Sequence, residues 1–349
     1  MSNKKIYSLQ ILRFICFLTV MIAHSGYFQF LSNLAVSVFF VLSGFVLMYS
    51  YRDKDINTDL KSLFSFAWSK TRKLFFLNIL VSFSILLIEL YAIYTGNNQY
   101  DLKTTLLYFV LQILLIQTFT PGMNKIDFLN APSWYFSVSM MLYFFFPLIR
   151  KSIKDINKTE KCITCVVLLY LTKFIATYLF RNIPDSTYLL YFSPYFRFFD
   201  FIIGCFLLKI YSNISDKEKT GWIYIVTVLL FAALVLVNLG GSVPAWMYYS
   251  LQHLPSSVFI VLSFALLNDR IDIKKPAIRR LVDLGDISGY AYMIHSMVVE
   301  YIKQLYAHFM GNEINGILLF AVATTATISL SFIYKKYIVE KWSFKKATV

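Results

Sequence analysis

Apolar runs close to the roughly 20 residues needed to cross a bilayer recur along this chain. They lie near 8–29, 34–51, 73–95, 104–120, 133–149, 162–180, 189–210, 221–240, 251–267, 287–308 and 316–334. Only a helix or a closed barrel satisfies its backbone polar groups in hydrocarbon, so these runs predict an all-α, polytopic bundle. The loops between them are short, with no periodic repeat and no low-complexity tract. The 349 residues therefore read as one membrane-embedded domain, 1–349, with no separate soluble domain.

The polar intervals carry the topology, because cytoplasmic loops collect Lys and Arg. Basic stretches are the N-terminus, 52–73, 150–161, 209–219, 269–280 and the tail from Lys335, whereas 30–33, 96–103, 181–188, 241–250 and 309–315 hold few positive charges. Alternation through all eleven runs would leave 150–161 and the tail outside. About ten transmembrane helices return every basic loop to the cytoplasm, with both termini cytoplasmic and the chain integral to the cytoplasmic (inner) membrane. The run left over is 104–120, which is short and followed by Thr120-Pro121-Gly122, and it reads as re-entrant or interfacial. Lys4 and Lys5 before an apolar stretch resemble a signal peptide, but Arg13 interrupts it and no small-residue cleavage site follows, so the first helix is read as retained.

Composition agrees: 58% of residues are hydrophobic, 18% aromatic and 15% charged, with a mean hydropathy of +0.61. The net charge of +14 sits in short clusters between apolar runs, which argues for topology and against a nucleic-acid-binding face. Cys16, Cys162, Cys165 and Cys205 supply no disulfide framework, and the Cys162/Cys165 pair reads as buried small hydrophobes with no metal implied.

Ionisable groups at membrane depth are costly and usually face a cavity or a partner. Arg13 and His24 are eleven residues apart in the first helix, so they share a face about 16 Å apart along the axis. That arrangement suits a long thioester, with a guanidinium on phosphate at the membrane surface and an imidazole deeper in to take a hydroxyl proton. A lone membrane histidine is otherwise a structural hydrogen-bonder, and the helical pairing with Arg13 is what favours chemistry. Ser43 and Gly44 allow close helix approach within a bulky run. Lys70-Thr71-Arg72-Lys73 is equally a positive-inside anchor and an anion site. Arg197, Asp200 and Gly204 fall on one helical face, where the ions can neutralise one another. Ser288, Tyr292 and His295 follow i, i+4, i+7 and line one stripe, able to bind sugar hydroxyls or orient a base. Glu89 and Glu300, also within apolar runs, have no assigned role.

Together these motifs resemble the acyltransferase 3 family of integral membrane acyltransferases, which includes O-antigen and peptidoglycan O-acetyltransferases, over nearly the whole chain. Arg13 and His24 are similar to the family's Arg and His separated by ten residues, and Phe39 to Phe45 to its FFVLSGF-like segment. Lys70 and Lys73 look like its basic entrance to the third helix, with Phe76 in the place of a usual proline. Trp134 to Ser137, Tyr143 and Pro147 resemble a WSLxxE-type block in which Ser139 replaces the Glu. Arg197, Asp200, Phe201 and Gly204 resemble R-x-x-[E/D]-F-x-x-G, while Gly285, Ser288, Tyr292 and His295 resemble a GxxSYxxYLxH block with Gly289 at its first aromatic. Val339-Glu340-Lys341 resembles a closing VEKP-like motif, with Trp342 for the proline.

The resemblance implies transfer of an acyl group, usually acetyl from acetyl-CoA as co-substrate, to a hydroxyl of a cell-envelope polysaccharide or lipid-linked sugar. Arg13, Lys70, Arg72 and Lys73 would then grip donor phosphates, and His24 would act as base or transient acyl acceptor. Ser43, Trp134, Tyr143, Arg197, Asp200, Ser288, Tyr292, His295 and Glu340 would bind substrate or support the site. The expected partners are acyl-CoA, a glycan acceptor and membrane lipids, with no metal and no nucleic acid. Rival readings are a transporter or flippase and a glycan polymerase. Against the former stands the lack of paired Gly/Pro-interrupted segments in corresponding halves.

Overall fold

A computed structural model describes residues 5–96, 101–119, 129–214, 220–241 and 243–341. Thr120-Pro121-Gly122 and Trp342 lie outside the described residues. Every regular element among the described residues is helical: α1 (Tyr7–His24), α2 (Gln29–Ser50), α3 (Leu60–Tyr94), α4 (Leu102–Leu114), α5 (Ser133–Ile153), α6 (Thr159–Leu179), α7 (Pro194–Asn213), α8 (Gly221–Leu239), α9 (Ala245–Tyr248), α10 (Leu254–Leu266), α11 (Pro276–Met310) and α12 (Gly316–Tyr334). π-helical turns precede α7 at Tyr188–Phe192 and follow α12 at Lys335–Glu340.

Length and apolarity together qualify eight helices as membrane spans, where about ten crossings were expected: α1, α2, α3, α5, α6, α7, α8 and α12, the last two π turns being counted with their neighbours. The runs at 251–267 and 287–308 account for the difference. The first holds α10, with 13 residues. The second belongs to α11, whose 35 residues rise about 52 Å but carry an inward polar stripe that lowers its apolarity. At 13 residues, α4 rises about 20 Å, short of the hydrocarbon thickness.

Two helices extend beyond their apolar runs, for reasons written in their ends. Asp59 caps α3 by accepting the Ser62 N–H at 3.0 Å, and the helix continues through Phe76 without a break, because no proline interrupts it there. Lys70, Arg72 and Lys73 consequently lie on a continuous helix and not at a loop entrance. α11 starts with Pro276 in its first turn and ends at Gly311, whose φ of 71° is the left-handed geometry of a helix C-cap.

Of the eight spans α2 is the most buried, packed among α1, α7 and α10. Its approach to α7 is reciprocal: a Cβ on Gly44 would strike the Phe201 carbonyl, and one on Gly204 would strike the Val41 carbonyl. Backbones can meet this closely only where small residues face each other. At the periphery, Ile225, Val228, Leu229 and Leu236 of α8 are each more than 60% exposed, as a lipid-facing helix requires.

Candidate active site

Packing of α1 on α11 sets the site. Gly285 lies against the Gln10 carbonyl, where any side chain would collide. Lys5 pairs with Asp286 at 2.6 Å. Asn268, from the turn after α10, accepts the Tyr7 N–H at 2.7 Å and so caps α1 from 261 residues away. At the other end of α1, the rings of His24 and His295 meet edge-on with centroids 4.8 Å apart. The helix stops there because Gly26 turns the chain at φ 95° and the Gln29 amide donates to the Ala23 carbonyl at 2.7 Å.

Two cavities open along this seam. The larger, of about 600 Å³, is lined by His24, His295, Glu89, Glu300, Trp134 and Tyr292, among others. The smaller, of about 260 Å³, is lined by Arg13, Ser43, Lys70, Lys73, Tyr143 and Ser288, and again by Tyr292. Tyr292 lines both, and it packs with two rings of the smaller cavity's wall: Phe39 to Tyr135 at 6.0 Å, Phe39 to Tyr292 at 5.8 Å and Tyr135 to Tyr292 at 5.4 Å. The Ser43 and Tyr135 hydroxyls share a 3.3 Å hydrogen bond beside them. Arg13 and His24, on one face of α1, thus line two adjoining chambers, Arg13 the smaller and His24 the larger, with Tyr292 common to both.

The chambers differ in chemistry. Three cations and Asp286 border the smaller one, a setting for an anionic ligand. Imidazoles and carboxylates border the larger one, and no Lys or Arg lines it among the described residues. His24 is open to that chamber. His295 is 1% exposed, with Nδ1 at 2.6 Å from the Tyr292 carbonyl. A carbonyl only accepts, so Nδ1 carries the proton and Nε2 of the neutral ring is an acceptor. That Nε2 is buried and has no hydrogen-bond partner among the described residues.

Behind the larger chamber lies a fully buried charge cluster. Asp200 receives Lys173 Nζ on one oxygen and Arg197 Nη1 at 3.3 Å on the other, and all three side chains are 0% exposed. Arg197 also donates to the Tyr191 carbonyl at 2.8 Å and to Ser37 Oγ at 3.3 Å, and its guanidinium stacks 4.7 Å from the Tyr191 ring. Trp134 and Tyr191, both walls of the chamber, pack on each other at 5.1 Å. Arg197 and Asp200 thus support the wall without lining it.

Of the other residues singled out from the sequence, Ser288 bonds the Gly285 carbonyl of its own helix at 2.7 Å while facing the smaller chamber. Arg72 is half-buried beside that chamber's helix but does not line it. Glu340 borders a separate groove with Arg280 and Lys336. Sequence reasoning missed Lys173, whose position inside an apolar run was the available signal, and left Glu89 and Glu300 unassigned although both line the histidine chamber. The packed rings carried no local signal, since Phe39 and Tyr135 are ordinary members of apolar helices.

The family described as an acyltransferase domain matches residues 6–336. The chain is also similar to acyltransferase MdmB of Streptomyces mycarofaciens, with 26% identity over 320 residues covering 87% of this chain and 76% of that one. No solved structure matches it.

Proposed function

This chain belongs to that acyltransferase family and is an integral membrane O-acyltransferase, and from that premise we propose that it moves an acetyl group from acetyl-CoA to a hydroxyl of an envelope polysaccharide or lipid-linked sugar. The observation that carries the proposal is the pair of dissimilar chambers meeting at Tyr292, one bordered by cations and one by histidines. Arg13, Lys70 and Lys73 hold the donor's phosphates in the smaller chamber, which faces the cytoplasm of the inner membrane. Arg72 adds to the same positive field from beside it.

The acyl end passes the Phe39, Tyr135 and Tyr292 rings into the larger chamber, where the acceptor waits. His24, open to that space, takes the hydroxyl proton as the oxygen attacks the thioester carbonyl. The carbon–sulfur bond then breaks, and the departing CoA thiolate takes up the proton held by the imidazole. Keeping the two substrates in separate chambers limits hydrolysis of the thioester by water.

The test is consumption of acetyl-CoA by the purified protein in detergent, with the acetylated sugar followed by mass spectrometry. Wild-type protein consumes thioester in an acceptor-dependent manner, and His24→Ala lowers this by roughly 100-fold or more at equal folded yield. Normal O-acetylation by His24→Ala would reject the role of that histidine. No acetyl-CoA binding or turnover by wild-type protein would reject the donor.

A further inference from the structure

We propose that His295 is a second contact to the acceptor, its Nε2 taking a hydrogen bond from the hydroxyl next to the one acylated, so that the acceptor is a vicinal diol. The proposal rests on the acyl-transfer reading above and specifies its substrate. It follows from a buried acceptor atom that nothing satisfies: His295 Nε2 is partnerless among the described residues in a ring 1% exposed. Buried polar atoms of this kind are rare and ask for a ligand or a water.

The ring cannot turn this need aside by exchanging tautomers. Its Nδ1 faces the Tyr292 carbonyl at 2.6 Å, which holds the proton on Nδ1 and leaves Nε2 as a lone-pair acceptor. Both His24 and His295 line the same chamber, with ring centroids 4.8 Å apart. A single hydroxyl has one proton and serves one imidazole. Two adjacent hydroxyls, each donating over about 2.8 Å, fit this spacing and engage both rings at once. The hydroxyl on His24 is the nucleophile, and its neighbour on His295 fixes the register of the sugar, which makes His295 a positioning residue for the reacting oxygen.

The experiment uses full-length protein in lipid nanodiscs, acetyl-CoA, and a methyl hexoside with its set of single-deoxy analogues. Products are located by mass spectrometry, and kcat/KM is measured for each acceptor. With wild-type protein, removing the acylated hydroxyl abolishes product, and removing one neighbour lowers kcat/KM by roughly 10- to 100-fold, because Nε2 is left unpaired again. His295→Asn keeps an amide donor near the Tyr292 carbonyl but lacks the Nε2 acceptor. It loses a similar factor on the full acceptor and becomes indifferent to the neighbouring deoxygenation. His295→Gln, whose amide oxygen reaches the Nε2 position, recovers part of the loss.

Two results would overturn the assignment while leaving acyl transfer intact: wild-type protein insensitive to every neighbouring deoxygenation, or His295→Asn lowering full and deoxy acceptors by one common factor, as a structural role would. The first needs no variant, so a misfolded substitution does not rescue the idea. Absence of any thioester turnover in wild-type protein would instead remove the underlying function and the diol assignment together.

Discussion

Asp200→Asn tests whether charge balance behind the chamber wall holds the fold. The native cluster has two cations, Lys173 and Arg197, on one carboxylate, all 0% exposed. Neutralising Asp200 leaves two buried cations without a counter-charge. Removing one partner of a buried pair costs about 3–5 kcal/mol, and the upper end applies here because both cations are stranded. Lys173→Met takes the opposite direction: it leaves the Arg197–Asp200 pair neutral overall, and its expected effect is within about 1 kcal/mol of wild type or stabilising. In the double variant Arg197 retains the Tyr191 carbonyl at 2.8 Å and Ser37 at 3.3 Å, so the loss falls between the two.

The assay is thermal unfolding in detergent micelles followed by tryptophan fluorescence. A loss of about 5 kcal/mol lowers the midpoint by roughly 7 °C at this chain length. Additive single-variant effects, or Lys173→Met melting as low as Asp200→Asn, would refute the charge-balance argument. A midpoint for Asp200→Asn within a degree or two of wild type would do the same.

Other outcomes follow from the packing and the chambers. Gly285→Ala forces a Cβ onto the Gln10 carbonyl and costs about 1–3 kcal/mol, read as a lower melting temperature, and Gly285→Leu yields no monodisperse protein on size-exclusion chromatography. Tyr292→Ala opens the wall common to both chambers, so acetyl-CoA hydrolysis without acceptor rises while acetylated product per thioester consumed falls; an unchanged ratio of hydrolysis to transfer would show that the rings do not separate the chambers. Combined Lys70→Gln and Lys73→Gln raises the KM for acetyl-CoA roughly 10-fold at low salt and less at high salt, with kcat little moved, whereas a purely topological role would leave KM alone.

The positions of most helices were legible in the sequence because hydrocarbon demands long apolar segments whatever the fold. Their ends were less so. α3 outran its apolar run because Asp59 caps it early and Phe76 does not break it, and α11 did so between Pro276 and Gly311, signals that hydropathy ignores. Length and apolarity qualify eight of the expected ten crossings, and the two they leave out are α10, a short helix, and α11, a helix with a polar inner stripe, which depart from the uniform run that hydropathy rewards.

Local spacing determined, by itself, that Arg13 and His24 share a face of α1 and that Ser288, Tyr292 and His295 share a stripe of α11, since helical geometry has a fixed period. Tertiary packing alone decided the rest. It brought Phe39 of α2, Tyr135 of α5 and Tyr292 of α11 together in the wall of the Arg13 chamber, with Tyr292 shared with the His24 chamber, and it set His295 beside His24 through the contact of Gly285 on Gln10. It also gathered Lys173 and Asp200 from different helices into one buried cluster. Periodicity states which residues of one helix point the same way; which helix they point at depends on side-chain volumes and backbone approach summed over the bundle, and no single segment encodes that.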